Sequence, residues 1–331
     1  MKDAQNYELN VQPILAFEIE QKNGQGEDAT VCLAMPESRA ALIACLDGCG
    51  GSGAKKYADA ENWTGARIAS FSSGRMLSDW FFRNKIDLLG VQDYPAEVIA
   101  KSLCQALQEG IADMQNRLNT ASGRQGSLVV SSMIRPFPTT LSSALVSSQD
   151  NGGIRCLFLW AGDSRGFILT RGGLVQMTED DLKDRLDPFE NIEQDGVLAN
   201  VISAKPFHIN VRDVMLMEPC LIITATDGCF SYFPTPMQFE HVLLDTLERS
   251  RSLREWQDQL IGVIGSVASD DYTMETLACG FDTFGQIREF FAPTLKRYRE
   301  QFERRIAGSR SREELRTVWN DYKQYYLGTQ R

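Results

Sequence analysis

The chain of 331 residues carries 34 Lys plus Arg against 44 Asp plus Glu, a net charge of −10, with 43% hydrophobic residues, eight cysteines and two histidines. These proportions are those expected of a soluble globular protein, and His208 and His241 alone cannot furnish a multi-histidine zinc centre or a metal site rich in imidazole. Residues 282–331 sum to +4 and the remainder to −14, so the acidic body offers no extended surface for a nucleic-acid backbone, whose affinity is dominated by cationic contacts.

From the N-terminus, short β-type runs are predicted at residues 13–19, 29–35 and 40–46, followed by a glycine-rich break. Two long helices follow, at about 61–83 and 95–121, the second marked by Val98, Leu103, Leu107, Ile111, Met114 and Leu118 at helical spacing. Strands return at 140–146, 156–161, 166–170 and 220–226, with GlyAspSerArg (162–165) as a hairpin turn. The polar stretch Thr178 to Val211 is expected to be an irregular surface insertion. A helical stretch at about 235–268 and a last strand at 273–281 complete this part.

Strands, two helices, strands, helices and a closing strand do not give the alternation of a parallel βαβ fold. The order predicts an α+β protein, a four-layer α-β-β-α sandwich of two antiparallel sheets flanked by helices, plus a C-terminal helical hairpin. One domain is expected over 1–281 and a basic, aromatic-rich helical extension over 282–331. In the extension, Pro293 is placed at a helix start, Gly308 at its end, and Ser311 with Glu314 at the capping-box spacing of a second helix. Its aromatics, among them Tyr298, Phe302, Trp319, Tyr322 and Tyr326, either pack onto their own domain or form a docking surface.

The cysteines are scattered singly, with no CxxC pair, which predicts reduced thiols and a cytoplasmic protein. No uncharged apolar run approaches ~18 residues, so neither a membrane span nor a secretion signal is expected.

Acidic elements stand at four predicted strand ends: Glu27 with Asp28, Asp47 in AspGlyCysGlyGly, Asp227 in ThrAspGlyCys, and Asp270 in SerAspAspTyrThr. Each alone reads as a turn. Together they place carboxylates at one rim of a sandwich, where they repel unless cations lie among them. Oxygen ligands select hard divalent ions such as Mg²⁺ or Mn²⁺. Gly48, Gly50 and Gly51 allow close backbone approach, so the Gly48 carbonyl is a further candidate ligand.

The order GluAsp (27–28), AspGlyCysGlyGly (47–51), ThrLeuSerSerAlaLeu, TrpAlaGlyAspSerArgGly (160–166), LeuValGlnMetThrGluAspAsp, IleThrAlaThrAspGly (223–228) and AspAspTyrThr (270–273) resembles the metal-dependent protein phosphatases of the type 2C family. It covers about residues 10 to 281. The resemblance implies a bacterial-type serine/threonine phosphatase that hydrolyses phosphoserine and phosphothreonine on proteins, by attack of a water that two metal ions bridge. It implies that Glu27, Asp28, Asp47, Gly48, Asp227 and Asp270 hold two Mg²⁺ or Mn²⁺ ions, with Asp47 bridging them, and that Asp163 helps hold a third, weaker one.

The implied partners are phosphorylated proteins, including a Ser/Thr kinase or its targets, with no nucleic acid and no membrane. Where the family has a phosphate-contacting arginine this chain has Asn23, leaving Lys22 as the nearby substrate-phosphate candidate; that departure keeps open a catalytically weak pseudophosphatase that binds phosphoprotein through its C-terminal extension. Cys49 and Cys229 each follow a candidate ligand by two residues and read either as small buried side chains or as a redox-sensitive pair. His208 and His241 read as structural or surface residues, and Arg165 as a turn-stabilising one.

Overall fold

The computed structural model describes residues 10–35, 39–89, 94–121, 136–184, 187–192 and 196–328. Twelve strands are seen among them: β1 (Val11–Ile19), β2 (Ala29–Met35), β3 (Ala40–Leu46), β4 (Lys56–Tyr57), β5 (Trp63–Thr64), β6 (Leu141–Ser148), β7 (Ile154–Ala161), β8 (Arg165–Thr170), β9 (Gly173–Gln176), β10 (Asn210–Leu216), β11 (Cys220–Ala225) and β12 (Tyr272–Cys279). The helices are α1 (Gly50–Gly53), α2 (Gly65–Leu89), α3 (Ala96–Ala121), α4 (Pro188–Asn191), α5 (Met237–Arg249), α6 (Leu253–Gly265), α7 (Phe284–Tyr298), α8 (Arg304–Gly308) and α9 (Arg312–Tyr326).

Two five-stranded sheets form, ordered β1-β12-β11-β8-β9 and β10-β7-β6-β3-β2, while β4 and β5 pair separately. Every strand pairing is antiparallel. The expected four-layer α+β sandwich is the observed architecture.

Strand β3 shows why the layers stack as they do. All seven of its residues are buried. Because side chains alternate across a strand, Leu42, Ala44 and Leu46 point to the layer shared with Leu77, Phe81 and Leu103 of α2 and α3. Ala41 and Ile43 point the other way, into the layer between the sheets, where Phe158, Ile168, Ile222 and Leu277 meet them. The outer face of the first sheet is covered by α5, α6, α7 and α9 through Phe239, Trp256, Phe291 and Trp319. Pro13 is accommodated because β1 is an edge strand and its register shifts between Pro13 and Leu15.

Three expectations change. GlyAspSerArg is not a hairpin turn: β7 and β8 belong to different sheets, so this loop carries the chain from one sheet to the other. The helical stretch at 235–268 divides into two helices, as the element order expects: Ser250 leaves helical geometry and the Ser252 hydroxyl caps α6 by accepting from the Glu255 amide at 3.2 Å.

Pro293 does not open its helix. Thr283 and Gln286 form a capping box that starts α7 at Phe284, and Pro293 sits inside the helix, tolerated where Phe291 and Leu295 anchor it to the sheet. The described residues between Thr178 and Val211 are irregular apart from the short α4 and the start of β10, yet they are not merely superficial: Phe189, Val201 and Ile202 are buried. Gly308 ends α8 and Ser311 caps α9, as expected. Phe302 and Tyr322 meet edge to face across that hairpin at 5.2 Å.

The C-terminal aromatics Tyr298, Phe302, Trp319, Tyr322 and Tyr326 are buried in the same apolar layer as Phe167 and Ile223 of the first sheet. Self-packing, not display, accounts for them.

Candidate functional site

Loops from both sheets meet at one rim. Asp47 leaves β3 and is fixed by its backbone: its amide donates to Thr140 Oγ1 at 3.0 Å, and its carbonyl accepts from the Thr140 amide and Thr139 Oγ1, each at 2.8 Å. Thr140 Oγ1 in turn lies 2.6 Å from Ser164 Oγ, tying the Asp47 turn to the crossover that bears Asp163. The Gly48 amide donates to Glu27 O at 3.1 Å, which brings the loop before β2 alongside.

On the facing sheet, Asp227 follows β11 and Asp270 precedes β12. Thr226 joins the two halves: its hydroxyl donates to Asp28 Oδ2 at 2.9 Å and accepts from the Thr273 amide at 3.0 Å.

The electrostatics follow from this convergence. Burial raises the Asp47 carboxyl well above its usual range, and Asp28, Asp227, Asp163 and Asp270 add to the shift in that order. Asp28 and Asp163 are likewise pushed well up, first by burial; Thr273 and Thr226 oppose the shift at Asp28, and Arg165 opposes it at Asp163. Asp227 is raised to about 6, by burial and then by Asp270. Glu27 and Asp270 are raised by burial, and Lys22 acts in the opposite sense on Asp270. Asp28 is 3% exposed, whereas Asp47, Asp163 and Asp227 are part-exposed and Asp270 is open to solvent. The acidic set therefore opens outward. Protonation alone relieves such repulsion at a cost in charge; divalent cations relieve it with the charge kept.

Its donors are all oxygens, the chemistry of Mg²⁺ or Mn²⁺. Several glycines make the backbone approach possible. A Cβ on Gly50 would lie 2.4 Å from Glu27 Oε2, one on Gly48 2.7 Å from Glu27 O, and one on Gly228 2.0 Å from Asp271 O. In donor type and backbone clearance the residues fit hard divalent cations. Among the described residues, no three or more His, Cys, Asp or Glu side chains are drawn together as a closed ligand cage.

All seven expected ligand positions, Glu27, Asp28, Asp47, Gly48, Asp163, Asp227 and Asp270, thus lie in the loops of this rim. Lys22 is exposed and lies within electrostatic reach of Asp270. Asn23 is exposed in the same loop. Cys229 is buried and Cys49 part-buried; burial raises both thiols well above their usual value, with Asp28 adding at Cys229 and Asp47 at Cys49. That favours the small-residue reading over reactive thiolates. His241 stacks on Tyr298 at 5.2 Å, whereas His208 is exposed and only its backbone amide is engaged, donating to Asn200 Oδ1.

Sequence reasoning missed four contributors. Asp271, beside Asp270, accepts from the Glu27 and Gln21 amides at 2.8 Å each and so pins the loop carrying Lys22 and Glu27; the doubled aspartate was its only signal. Asp180 takes Arg165 Nε and Nη2 in a two-point pair, and Asp181 accepts from the Gly162 amide at 3.1 Å. Arg67, from α2, donates to Gly24 O at 2.9 Å, lies 4.6 Å over the Trp63 ring and lowers the Glu27 carboxyl. No local motif marks it.

No family model and no curated protein matches the chain. Solved structures do. The catalytic domain of the serine/threonine protein phosphatase PstP, in complex with two manganese ions, is 17% identical with a TM-score of 0.54, over 82% of this chain and 100% of that one. A bacterial serine phosphatase is 16% identical with a TM-score of 0.58, over 83% and 98%. The serine/threonine phosphatase Stp1 from Staphylococcus aureus is 16% identical with a TM-score of 0.56, over 83% and 95%. The chain has the fold of these bacterial phosphatases. Among the described residues, no helix is long and apolar enough to cross a membrane.

Proposed function

We propose that this protein is a divalent-metal-dependent phosphatase acting on phosphoserine and phosphothreonine in cytoplasmic proteins. The observation that carries the reading is the acidic rim itself: six carboxylates from both sheets, raised by burial and by one another, beside glycines that leave the backbone open. The shared fold of solved serine/threonine phosphatases supports it.

In this reading Glu27, Asp28, Asp47, Asp163, Asp227, Asp270 and the Gly48 carbonyl would hold two Mg²⁺ or Mn²⁺ ions and a third, weaker one. Bound there, the ions supply Lewis-acid stabilisation of phosphoryl charge and acidify water to a nucleophile at neutral pH. The protein's own residues do the positioning. Thr139 and Thr140 fix the Asp47 backbone, Asp271 orients the Glu27 loop, and Lys22 stands beside Asp270 as a cation for the incoming phosphate. Residues 1–281 form the catalytic body in this proposal, and 282–331 an extension that supports it.

Purified protein with Mn²⁺ is expected to release phosphate from a phosphothreonine peptide, and Asp47→Asn to abolish the release. Absence of turnover across Mg²⁺, Mn²⁺ and pH would refute the reading. The second reading, a phosphoprotein-binding pseudophosphatase, rests on Asn23 in place of the family's arginine; it requires that the protein bind a phosphopeptide without turning it over.

A further inference from the structure

Helix α9 lies outside the acidic rim, yet it reaches the rim's supports by two routes. The first runs through Arg165, which is 2% exposed in the crossover that carries Asp163. Its Nε and Nη2 donate to the two Asp180 oxygens at 2.9 and 2.7 Å. Its Nη1 points to Tyr326 Oη, from the last turn of α9, at 3.4 Å. The guanidinium lies 4.4 Å over the Phe230 ring, and the Phe230 amide donates to Asp227 O at 3.0 Å. A guanidinium has five N–H donors, and one shut away from water needs partners for them. Tyr326 supplies a partner from α9.

The second route runs through the insertion. Trp319 Nε1 donates to Asp187 Oδ1 at 2.7 Å, and Lys323 pairs with the same carboxylate. Arg316 meets Glu190 at 2.9 Å, and Arg312 lies 3.7 Å over the Phe189 ring. One turn along, Asn191 Nδ2 donates to Asp180 Oδ2 at 2.9 Å, which closes the circuit on the partner of Arg165.

We propose that α9 is a positioning element of the candidate site, with Tyr326 acting through Arg165 to hold the Gly162–Arg165 crossover that bears Asp163. The proposal rests on the phosphatase reading for its consequence in turnover, but not for its structural claim. Residues 282–331 would then be part of the active unit, and Arg312, Arg316 and Lys323 would serve the insertion and not a separate partner.

The test uses the full chain as wild type, Tyr326→Phe, and Tyr325→Phe as a control whose hydroxyl lies on the part-exposed side of α9. The readouts are hydrogen–deuterium exchange of residues 162–166, Mn²⁺ binding by titration calorimetry, and Mn²⁺-dependent turnover of a phosphothreonine peptide. Tyr326→Phe is expected to speed exchange at Gly162 to Gly166 and to weaken Mn²⁺ binding roughly three- to tenfold, the low end for groups that orient metal ligands. Tyr325→Phe should match wild type in both. Wild-type exchange or wild-type Mn²⁺ affinity in Tyr326→Phe, or equal losses in the control, overturns the proposal. A wild-type chain that turns over no phosphopeptide with Mg²⁺ or Mn²⁺ overturns the proposed function alone, and the exchange at residues 162–166 still decides the structural claim.

Discussion

Arg165 and Asp180 form a two-point ion pair in which both side chains are almost shut off from water, at 3% and 11% exposure. The opposite charge of Asp180 drives the Arg165 pKa upward against the effect of burial. A pair of this kind contributes little over an apolar substitute, but removing one member strands the other. Asp180→Asn, which strands the Arg165 charge, is expected to cost about 3 kcal/mol in folding stability, and Arg165→Met somewhat less, because the Asp180 carboxylate it strands is the more exposed of the two and keeps the Asn191 and Gln176 amides as donors. Urea titrations of the two variants check the order; equal stability of both with wild type would show that the pair is dispensable.

Glu275 makes the protein sensitive to alkali. It lies in the middle of β12 at 1% exposure, its Oε2 has no hydrogen-bond partner, and burial raises its pKa from 4.5 to about 8. Between those values the unfolded chain has released a proton that the folded chain retains. Stability from this group is therefore full below about pH 4.5 and declines as pH rises toward about 8, by at most ~1.4 kcal/mol per pH unit. Glu275→Gln should flatten that decline and raise the melting temperature at pH 8 relative to wild type. Parallel melting profiles for the two proteins from pH 5 to 9 would contradict the assignment.

Two glycines separate site geometry from fold. A methyl on Gly50 meets the end of the Glu27 side chain, which can swing aside, whereas one on Gly228 meets the Asp271 backbone. Gly50→Ala is expected to lower Mn²⁺-dependent turnover severely with less than ~0.5 kcal/mol change in stability. Gly228→Ala should lose both, with a stability loss of ~2 kcal/mol or more from overpacking against main chain. Thermal melts beside turnover assays distinguish them.

Metal should reverse the sign of one mutation. Without divalent ions, the crowding of Asp47 with Asp28, Asp227 and Asp163 is unfavourable, so Asp47→Asn is expected to raise the melting temperature in chelator. With Mn²⁺ present at about a hundred times its dissociation constant, wild type should gain ~2.7 kcal/mol and the variant little of it. A variant less stable than wild type in chelator would show that Asp47 holds the turn together instead of straining it.

How much of this was legible follows from where each signal sits. Ala40 to Leu46 is apolar at every position because β3 is covered on both faces, so it announces itself; β10 is an edge strand whose Arg212 and Asp213 break the alternation, and no strand is predicted there. Of the rim carboxylates, Glu27, Asp28, Asp47, Asp227 and Asp270 are legible from their place at predicted strand ends, and Asp163 only through the family resemblance. Their supports are not legible, because Arg67, Asp180 and Tyr326 act across long separations in the chain. The misread crossover has the same cause: turn residues mark where a strand ends, but not which sheet receives the next one. The division of α5 from α6 was legible in Ser252 and Glu255, whose three-residue spacing signals a helix start.

The crossover at Gly162 to Arg165 also determines what a bound ion would do to the whole molecule. Glu27, Asp28 and Asp47 hang from one sheet, Asp227 and Asp270 from the other, and Asp163 from the strand link between them. Any cation shared by this set cross-links the two sheets like a rivet. Its affinity then reports the spacing of the sandwich, so that a change of packing around Phe158 or Ile168, deep between the sheets, is transmitted to the ion without touching a single ligand.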